Sequence, residues 1–226
     1  MREITFDTET TGIDPASGHR IVEIGCVELI DKTRTGKFFH TYLNPQRNVP
    51  KSATDIHGLT DVFLSDKPLF KNVAKEFVDF ISDSTLVIHN AAFDMKFINF
   101  ELENAGMKTI SISRAVDTLT MARNKFPGNK ASLDALCQKF GIDLSRRDKH
   151  GALLDAELLA DVYQELCGGK QSNILFASAS QVVEEGIKII QRKIRKKREY
   201  QVSQEEAEAH TKFMEKIKNP IWAEYK

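Results

Sequence analysis

This 226-residue chain has few cysteines, no net charge and no long apolar run, and each absence excludes a class of protein. Its three cysteines lie far apart and outside any CxxC pair, so the sequence predicts neither a disulfide framework nor a zinc site. The 32 basic and 32 acidic side chains cancel, which argues against a protein that coats nucleic acid through bulk electrostatic attraction. An enzyme that grips a few nucleotides is still compatible with this balance.

Membrane and export signals are also missing from the sequence. No apolar run approaches the roughly 20 residues of a membrane-spanning helix, and the first residues lack a basic stretch followed by an apolar one. The hydrophobic content of 41% and the charged content of 28% are typical of a soluble globular protein. We therefore expect a cytoplasmic protein with one well-buried α/β domain and an appendage.

An acidic pair near the start of the chain is the feature that connects the later motifs. Asp7 and Glu9 lie two apart in a segment, 4–9, whose β-branched and aromatic residues predict a strand. A strand's period of two places both carboxylates on one face. Because neighbouring anions repel each other and resist desolvation, a bound cation would stabilise them. A pair of surface acids on an edge strand is the alternative.

The apolar periodicity predicts a meander of three strands followed by alternating helices and strands. Strands are predicted at 4–9, 20–30, 37–43, 85–89 and 110–117, and helices at 70–81, 90–104, 118–125, 132–140 and 153–166. This order is typical of an α/β fold with a mixed five-stranded sheet flanked by helices. We assign one domain to residues 1–169.

The apolar pattern thins beyond residue 169. Residues 170–180 are mostly small and polar, as in a linker, and the sequence SQEE from Ser203 predicts a capping box that opens a helix. Because residues 181–226 have too little apolar surface for a core of their own, we expect a flexible or helical tail that orders on a partner. A helical hairpin packed on the domain is the alternative.

Two further acids and a histidine complete the candidate site. Asp94 follows the buried strand at 85–89, where open α/β sheets place ligands, although a helix N-terminal acid stabilised by the dipole is equally consistent. His150 and Asp155 are five residues apart, so they share a site only if His150 lies on the loop before the first helical turn. A loop histidine and a solvated aspartate are the alternative.

Together these residues predict metal-assisted phosphoryl chemistry. Asp7, Glu9, Asp94 and Asp155 could hold two divalent cations about 4 Å apart, an arrangement that clamps the attacking and leaving oxygens. Histidine changes charge near neutral pH, which suits His150 to accept a proton from the attacking water.

The motifs resemble those of a known family. The sequences DTETTG at 7–12, HNAAFD at 89–94 and HGALLD at 150–155 are similar, in this order, to the three motifs of the DEDDh 3′→5′ exonucleases. The segments DIHGLT at 55–60 and SLDALC at 132–137 narrow the resemblance to the proofreading members that serve a bacterial replicative DNA polymerase.

This resemblance extends over residues 3 to about 170. It implies a ribonuclease H-like fold and a cytoplasmic protein that acts at the replication fork. It implies hydrolysis of the 3′-terminal phosphodiester of mismatched DNA, with Mg²⁺ or Mn²⁺ as cofactor and nucleoside 5′-monophosphates as products. It implies that Asp7, Glu9 and Asp155 ligate the catalytic cation and that Asp7 and Asp94 serve a second one. His150 would be the general base.

The resemblance also implies contacts with the frayed or single-stranded 3′ end. The implied substrate-binding residues are Asp7, Glu9, Thr10, Thr11, His57, Asn90, Phe93 and Asp155. His57 would line the nucleotide pocket, whereas Asn90 and Phe93 would support the strand end, unless both are core residues. Relatives often carry a glutamate a few positions before the Ile-His-Gly sequence, but residues 50–54 contain none. The substrate contact that this glutamate would make is therefore in doubt for this chain.

Partner motifs are predicted in the tail. QSNILF at 171–176 is similar to peptides that dock in the bacterial sliding clamp, with Gln171, Ile174, Leu175 and Phe176 as contacts. Residues 181–226, including Trp222, would bind the polymerase catalytic subunit, and a further small core subunit could also bind.

Two other functions are compatible with the sequence. A free-standing exonuclease acting on RNA ends would share the motifs, because a fold-level match does not fix the sugar. Such an enzyme has no evident use for a polymerase-docking tail. A non-catalytic scaffold joining polymerase and clamp is the second alternative, and the five intact catalytic positions argue against it.

Overall fold

The computed structural model describes residues 1–145, 147, 149–169 and 202–217. The described strands form one mixed sheet in the order β3-β2-β1-β4-β5. They are β1 Arg2–Thr10, β2 Ile21–Ile30, β3 Thr33–Tyr42, β4 Thr85–Ile88 and β5 Ala115–Asp117. β1 pairs antiparallel with β2 and parallel with β4, so it lies at the centre of the sheet. The edge-strand alternative for Asp7 and Glu9 is therefore wrong.

Helices cover the two faces of this sheet. They are α1 Lys51–His57, α2 Asp61–Leu64, α3 Phe70–Ile81, α4 Ala91–Asn104, α5 Thr118–Lys125, α6 Leu133–Phe140 and α7 Ala152–Leu166, with 3-10 turns at Pro15–Ser17 and Ile112–Arg114. The predicted five-stranded mixed sheet flanked by helices is confirmed. In the part of the chain that the structure describes, no helix is long and apolar enough to cross a membrane.

The core forms because successive β1 side chains point to opposite faces of the sheet. On one face Phe6 packs with Phe77 of α3, with ring centroids 5.8 Å apart, and Phe97 of α4 joins the same buried cluster. On the other face α7 packs Ala160 and Tyr163 against β2 and β4. Even-numbered β1 residues thus face α3 and α4, whereas odd-numbered ones, including Asp7 and Glu9, face α7.

Two local predictions need correction. The strand predicted at 110–117 is only Ala115–Asp117. The Asn99 side chain takes both backbone groups of Ile110, accepting from its N–H at 2.7 Å and donating to its carbonyl at 2.9 Å, and Ile112–Arg114 form a 3-10 turn. Helices α1 and α2 were not predicted, since each is too short to show a helical apolar period.

The tail helix α8, Gln204–Met214, belongs to a second unit. The Ser203 hydroxyl accepts from the Glu206 N–H, and the Glu206 carboxylate accepts from the Ser203 N–H. The predicted capping box is therefore confirmed. The predicted linker at 170–180, with its clamp motif, and Trp222 lie outside the described residues.

Candidate active site

The acidic pair lies at the carboxyl end of the central strand. In the β1–β2 register, Asp7 is opposite Gly25 and Glu9 is opposite Glu23. A Cβ on Gly25 would lie 2.3 Å from the Ala152 carbonyl carbon, so only glycine lets the first turn of α7 rest on the sheet. This close approach brings Asp155 of that turn, which is 3% exposed, over the acidic pair.

The structure places the predicted histidine and acids together. His150 lies on the loop before α7, as its spacing from Asp155 requires, and Gly151 is the N-cap residue. Ligand atoms of Glu9, His150 and Asp155 all lie within 4.8 Å of one another. Asp94 reaches the same strand end from the other face, because its Oδ1 accepts from the Thr8 hydroxyl at 2.7 Å.

Crowding raises the pKa of several of these carboxyl groups. Burial raises the pKa of Asp7 well above its ordinary value, and repulsion from Asp94, Glu9 and Asp155 adds to this. Burial, followed by repulsion from Asp155, raises the pKa of Glu9 to about 8. The pKa of Asp94 rises to about 7 through burial, against the opposing hydrogen bond from Thr8. The described groups around the cluster thus supply too little positive charge for its acids.

This donor set fits hard divalent cations. Carboxylate oxygens are the ligands that Mg²⁺ and Mn²⁺ prefer, and a cation would offset the repulsion that holds these groups away from their charged form. The residues present are therefore those that a cation site needs.

We expect the stability of the cation-free protein to fall as the pH rises from about 4.5, the ordinary pKa of a glutamate, to about 8, the raised pKa of Glu9. Over that range the folded protein holds a proton on Glu9 that the unfolded chain has released, so deprotonation favours unfolding. Thermal unfolding in EDTA across these pH values measures the effect. Glu9→Gln should flatten the dependence, as should saturating Mg²⁺. A transition that rises with pH in EDTA would contradict this account.

The predicted substrate residues lie around the cluster in different roles. The Thr10 hydroxyl donates to the Gly12 carbonyl at 2.6 Å, and the buried Thr11 hydroxyl accepts from the Arg20 N–H at 3.0 Å. Both hydroxyls thus fix the turn after β1. His57 ends α1 and is 6% exposed, and its Nδ1 accepts from the Leu59 N–H at 3.0 Å.

Asn90 and Phe93 flank Asp94 in different ways. Asn90 is exposed, adopts φ 72° and donates its backbone N–H to Asp117 at 3.0 Å. Phe93 is half-buried, and its ring centroid lies 5.0 Å from that of Phe97 in the core. The substrate contacts of these residues stay predictions.

Sequence reasoning missed two charged residues near the cluster, Arg147 and Glu23. Arg147 binds both oxygens of Asp155 and contacts Asp134, and Glu23 accepts from His40 at 2.8 Å. The antiparallel register could have revealed Glu23, since it is directly opposite Glu9. Nothing in the surrounding charged run distinguishes Arg147 from a solvated surface arginine.

An open cleft of about 620 Å³ adjoins the cluster. Its lining comes from the acid cluster, from α5 and from the loop and first turn of α6, with Asp7, His89, Arg123, Lys130, Asp134, His150 and Asp155 among the residues. Its volume is within the range of sites that bind small molecules of nucleotide size.

Comparisons with known proteins place this site in context. The family model described as Exonuclease (RNase T) matches residues 4–163. DNA polymerase III subunit epsilon of Rickettsia prowazekii (strain Madrid E) is 48% identical over 222 residues, which is 96% of this chain and 97% of that relative. The Rickettsia felis protein of the same name is 57% identical over 175 residues, 76% of each chain.

Solved structures agree with the fold. Exonuclease X in complex with 5′ overhanging duplex DNA has a TM-score of 0.57 and 26% identity, covering 73% of this chain and 90% of that one. The nuclease domain of 3′hExo, a DEDDh family member bound to rAMP, has a TM-score of 0.63, covering 74% of this chain and 92% of that one. At 20% identity the second likeness shows the fold alone.

Proposed function

The chain belongs to the exonuclease family and, within it, to the DNA polymerase III epsilon subunits, and from this premise we propose which residues carry its reaction. It is a proofreading 3′→5′ exonuclease that associates with the DNA polymerase III core and acts on DNA with divalent metal ions. The family predicted from the motifs is therefore confirmed. The free-standing ribonuclease and the scaffold are not favoured by any described feature.

The observation that supports the residue roles is the meeting of four carboxylates and a loop histidine at the end of β1. Asp7, Glu9 and Asp155 would hold the catalytic cation, and Asp7 with Asp94 would hold a second one. When bound, Mg²⁺ or Mn²⁺ would stabilise the negative charge that develops on the phosphodiester and activate a water. Thr8 orients Asp94 through its hydroxyl.

The protein's own groups carry the proton transfer and the choice of substrate end. His150 accepts the proton of the attacking water, since it is exposed and near both Glu9 and Asp155. His57, Thr10 and the turn at Thr11 would line the terminal nucleotide. A mismatched end frays more easily than a paired one, so a site for single strands selects errors without reading the base.

Release of mononucleotides from a 3′-mismatched DNA primer tests this function. Matched DNA and an RNA strand of the same sequence are the comparison substrates, with Mg²⁺, with Mn²⁺ and with EDTA. We expect metal-dependent release that is faster on the mismatched DNA. Faster digestion of RNA would favour the free-standing ribonuclease. If neither metal supported hydrolysis, the non-catalytic scaffold would be the remaining hypothesis.

We propose that the residues beyond 169 connect the exonuclease to its partners at the replication fork, in the bacterial cytoplasm. Residues 170–180 would be a linker with Gln171, Ile174, Leu175 and Phe176 docking in the sliding clamp, and residues 181–226, with Trp222, would bind the polymerase subunit. A further small core subunit could also bind. No side chain of α8 is buried, which suits a helix that packs on a partner.

Deleting residues 178–226 should abolish capture of the exonuclease by the polymerase subunit while mononucleotide release continues. The reason is that the acid cluster lies between Asp7 and Asp155, upstream of the deletion. Pull-down with the purified polymerase subunit and the primer assay measure the two properties. Unchanged capture of the shortened chain would exclude the tail as the docking segment.

A further inference from the structure

Arg147 lies inside the acid cluster, and its side chain is 8% exposed. Its Nε donates to Oδ1 of Asp155 at 2.6 Å, and its Nη2 donates to Oδ2 at 2.7 Å. Its Nη1 donates to Asp134, whose side chain is half exposed at the rim of the cleft. One guanidinium therefore spans the cluster from its buried acid to its rim.

This arrangement conflicts with cation binding at Asp155. A bidentate arginine–carboxylate pair is among the stronger hydrogen-bonded ion pairs and uses both carboxylate oxygens. A divalent cation needs at least one of those oxygens, and its charge would be repelled by the guanidinium beside it. Arg147 in its observed position and a cation on Asp155 thus compete for the same group.

Arg147 also contacts the predicted general base, His150. Arg147 Nη2 lies 2.8 Å from Nδ1 of His150 and can only donate, so Nδ1 must be the acceptor. The neutral ring then carries its proton on Nε2, and neither nitrogen is free to accept a proton from water. The His150 backbone N–H donates to the Ile56 carbonyl at 3.3 Å, so the residue has an anchor independent of Arg147.

We propose that Arg147 is an internal counter-cation that stabilises the acid cluster before divalent cations bind and leaves Asp155 and His150 when they do. This inference rests on the proposed function, because it assumes that Asp155 is a cation ligand. Asp134 remains available to the displaced guanidinium. Arg147 is therefore a positioning residue that sets how readily the site takes up cations.

Direct measurement of Mn²⁺ binding tests the proposal, with free Mn²⁺ followed by electron paramagnetic resonance. We expect Arg147→Gln to bind Mn²⁺ about tenfold or more tightly than the wild type, because the competing charge-assisted hydrogen bonds are gone. Arg147→Lys keeps the charge but cannot bind both oxygens in parallel, so it should fall between the two. Arg123→Gln, in the same cleft, is the control for the loss of one positive charge.

Thermal unfolding supplies a second readout that does not depend on activity. In EDTA, Arg147→Gln should unfold at a lower temperature than the wild type. Addition of Mn²⁺ should raise the transition temperature of Arg147→Gln by more than it raises that of the wild type. Equal or weaker Mn²⁺ binding by Arg147→Gln would overturn the proposal, as would equal tightening by Arg123→Gln. If Asp7→Asn binds Mn²⁺ as well as the wild type does, the proposed cation site itself is wrong.

Discussion

Asp7→Asn should lower the rate of mononucleotide release at least about a thousandfold, because electrostatic stabilisation at the reacting phosphate is lost. Asp7 is the acid that the proposed function assigns to both cations, and Asp94, Glu9 and Asp155 all repel its charge. Asparagine preserves its size but cannot supply a charged ligand. Single-turnover hydrolysis of a 3′-mismatched primer at saturating Mg²⁺ measures the loss.

The same substitution should make the cation-free protein more stable. Burial and the neighbouring acids raise the pKa of Asp7, so its charged form is disfavoured in the folded state. Removing that charge relieves repulsion, and the thermal transition in EDTA should rise. Gain of stability with loss of activity is the pattern expected where a site keeps mutually repelling groups for function.

Asp79→Asn is the matched control, because it makes the same chemical change on the exposed surface of α3. Its hydrolysis rate should equal that of the wild type, and its transition should shift little. If Asp7→Asn retains more than about a tenth of the wild-type rate, the proposed role of Asp7 in hydrolysis is wrong.

Gly25→Ala is expected to damage folding and activity together. Its Cβ would lie 2.3 Å from the Ala152 carbonyl carbon and oxygen and 2.4 Å from the Leu153 nitrogen, all of them backbone atoms. Because no rotamer change relieves a clash with backbone, the first turn of α7 must move away from the sheet. Overpacking of this kind costs about 1–3 kcal/mol, and this site should lie at the upper end.

The activity should fall by about a hundredfold, because a displacement of about 1 Å in catalytic groups has that effect. Asp155 moves with the first turn of α7, whereas Asp7 and Glu9 remain on β1. Denaturant unfolding and the mismatched-primer assay measure the two losses. Excess Mn²⁺ should not restore the rate, since the ligands themselves are displaced.

Gly151→Ala separates this clash from a general sensitivity to added methyl groups. Gly151 has an extended φ of −156°, and a Cβ there would meet only Glu23 Oε2 at 4.0 Å. The loss of stability should be at most about 1 kcal/mol, the usual effect of alanine at a helix N-cap. Equal losses for the two variants would mean that Gly25 does not govern the approach of α7.

Much of the fold could be predicted from the sequence because local periodicity decided it. The alternation in β1 put Phe6 towards α3 and α4 and the acids towards α7. The spacing of His150 and Asp155 required a loop followed by a first turn, as observed. The strand predicted at 110–117 was wrong over most of its length because the Asn99 side chain takes the Ile110 backbone groups and Ile112–Arg114 form a 3-10 turn.

The sequence by itself determined the family, the order of the elements and the residues that could form the site. These depend on residue types at fixed spacing, which the covalent chain carries directly. Only the tertiary structure decided that α7 packs closely on the sheet at Gly25 and that Arg147 hydrogen-bonds to Asp155 and His150. Both depend on how closely separate elements pack, and that distance is set by the whole core rather than by any local pattern.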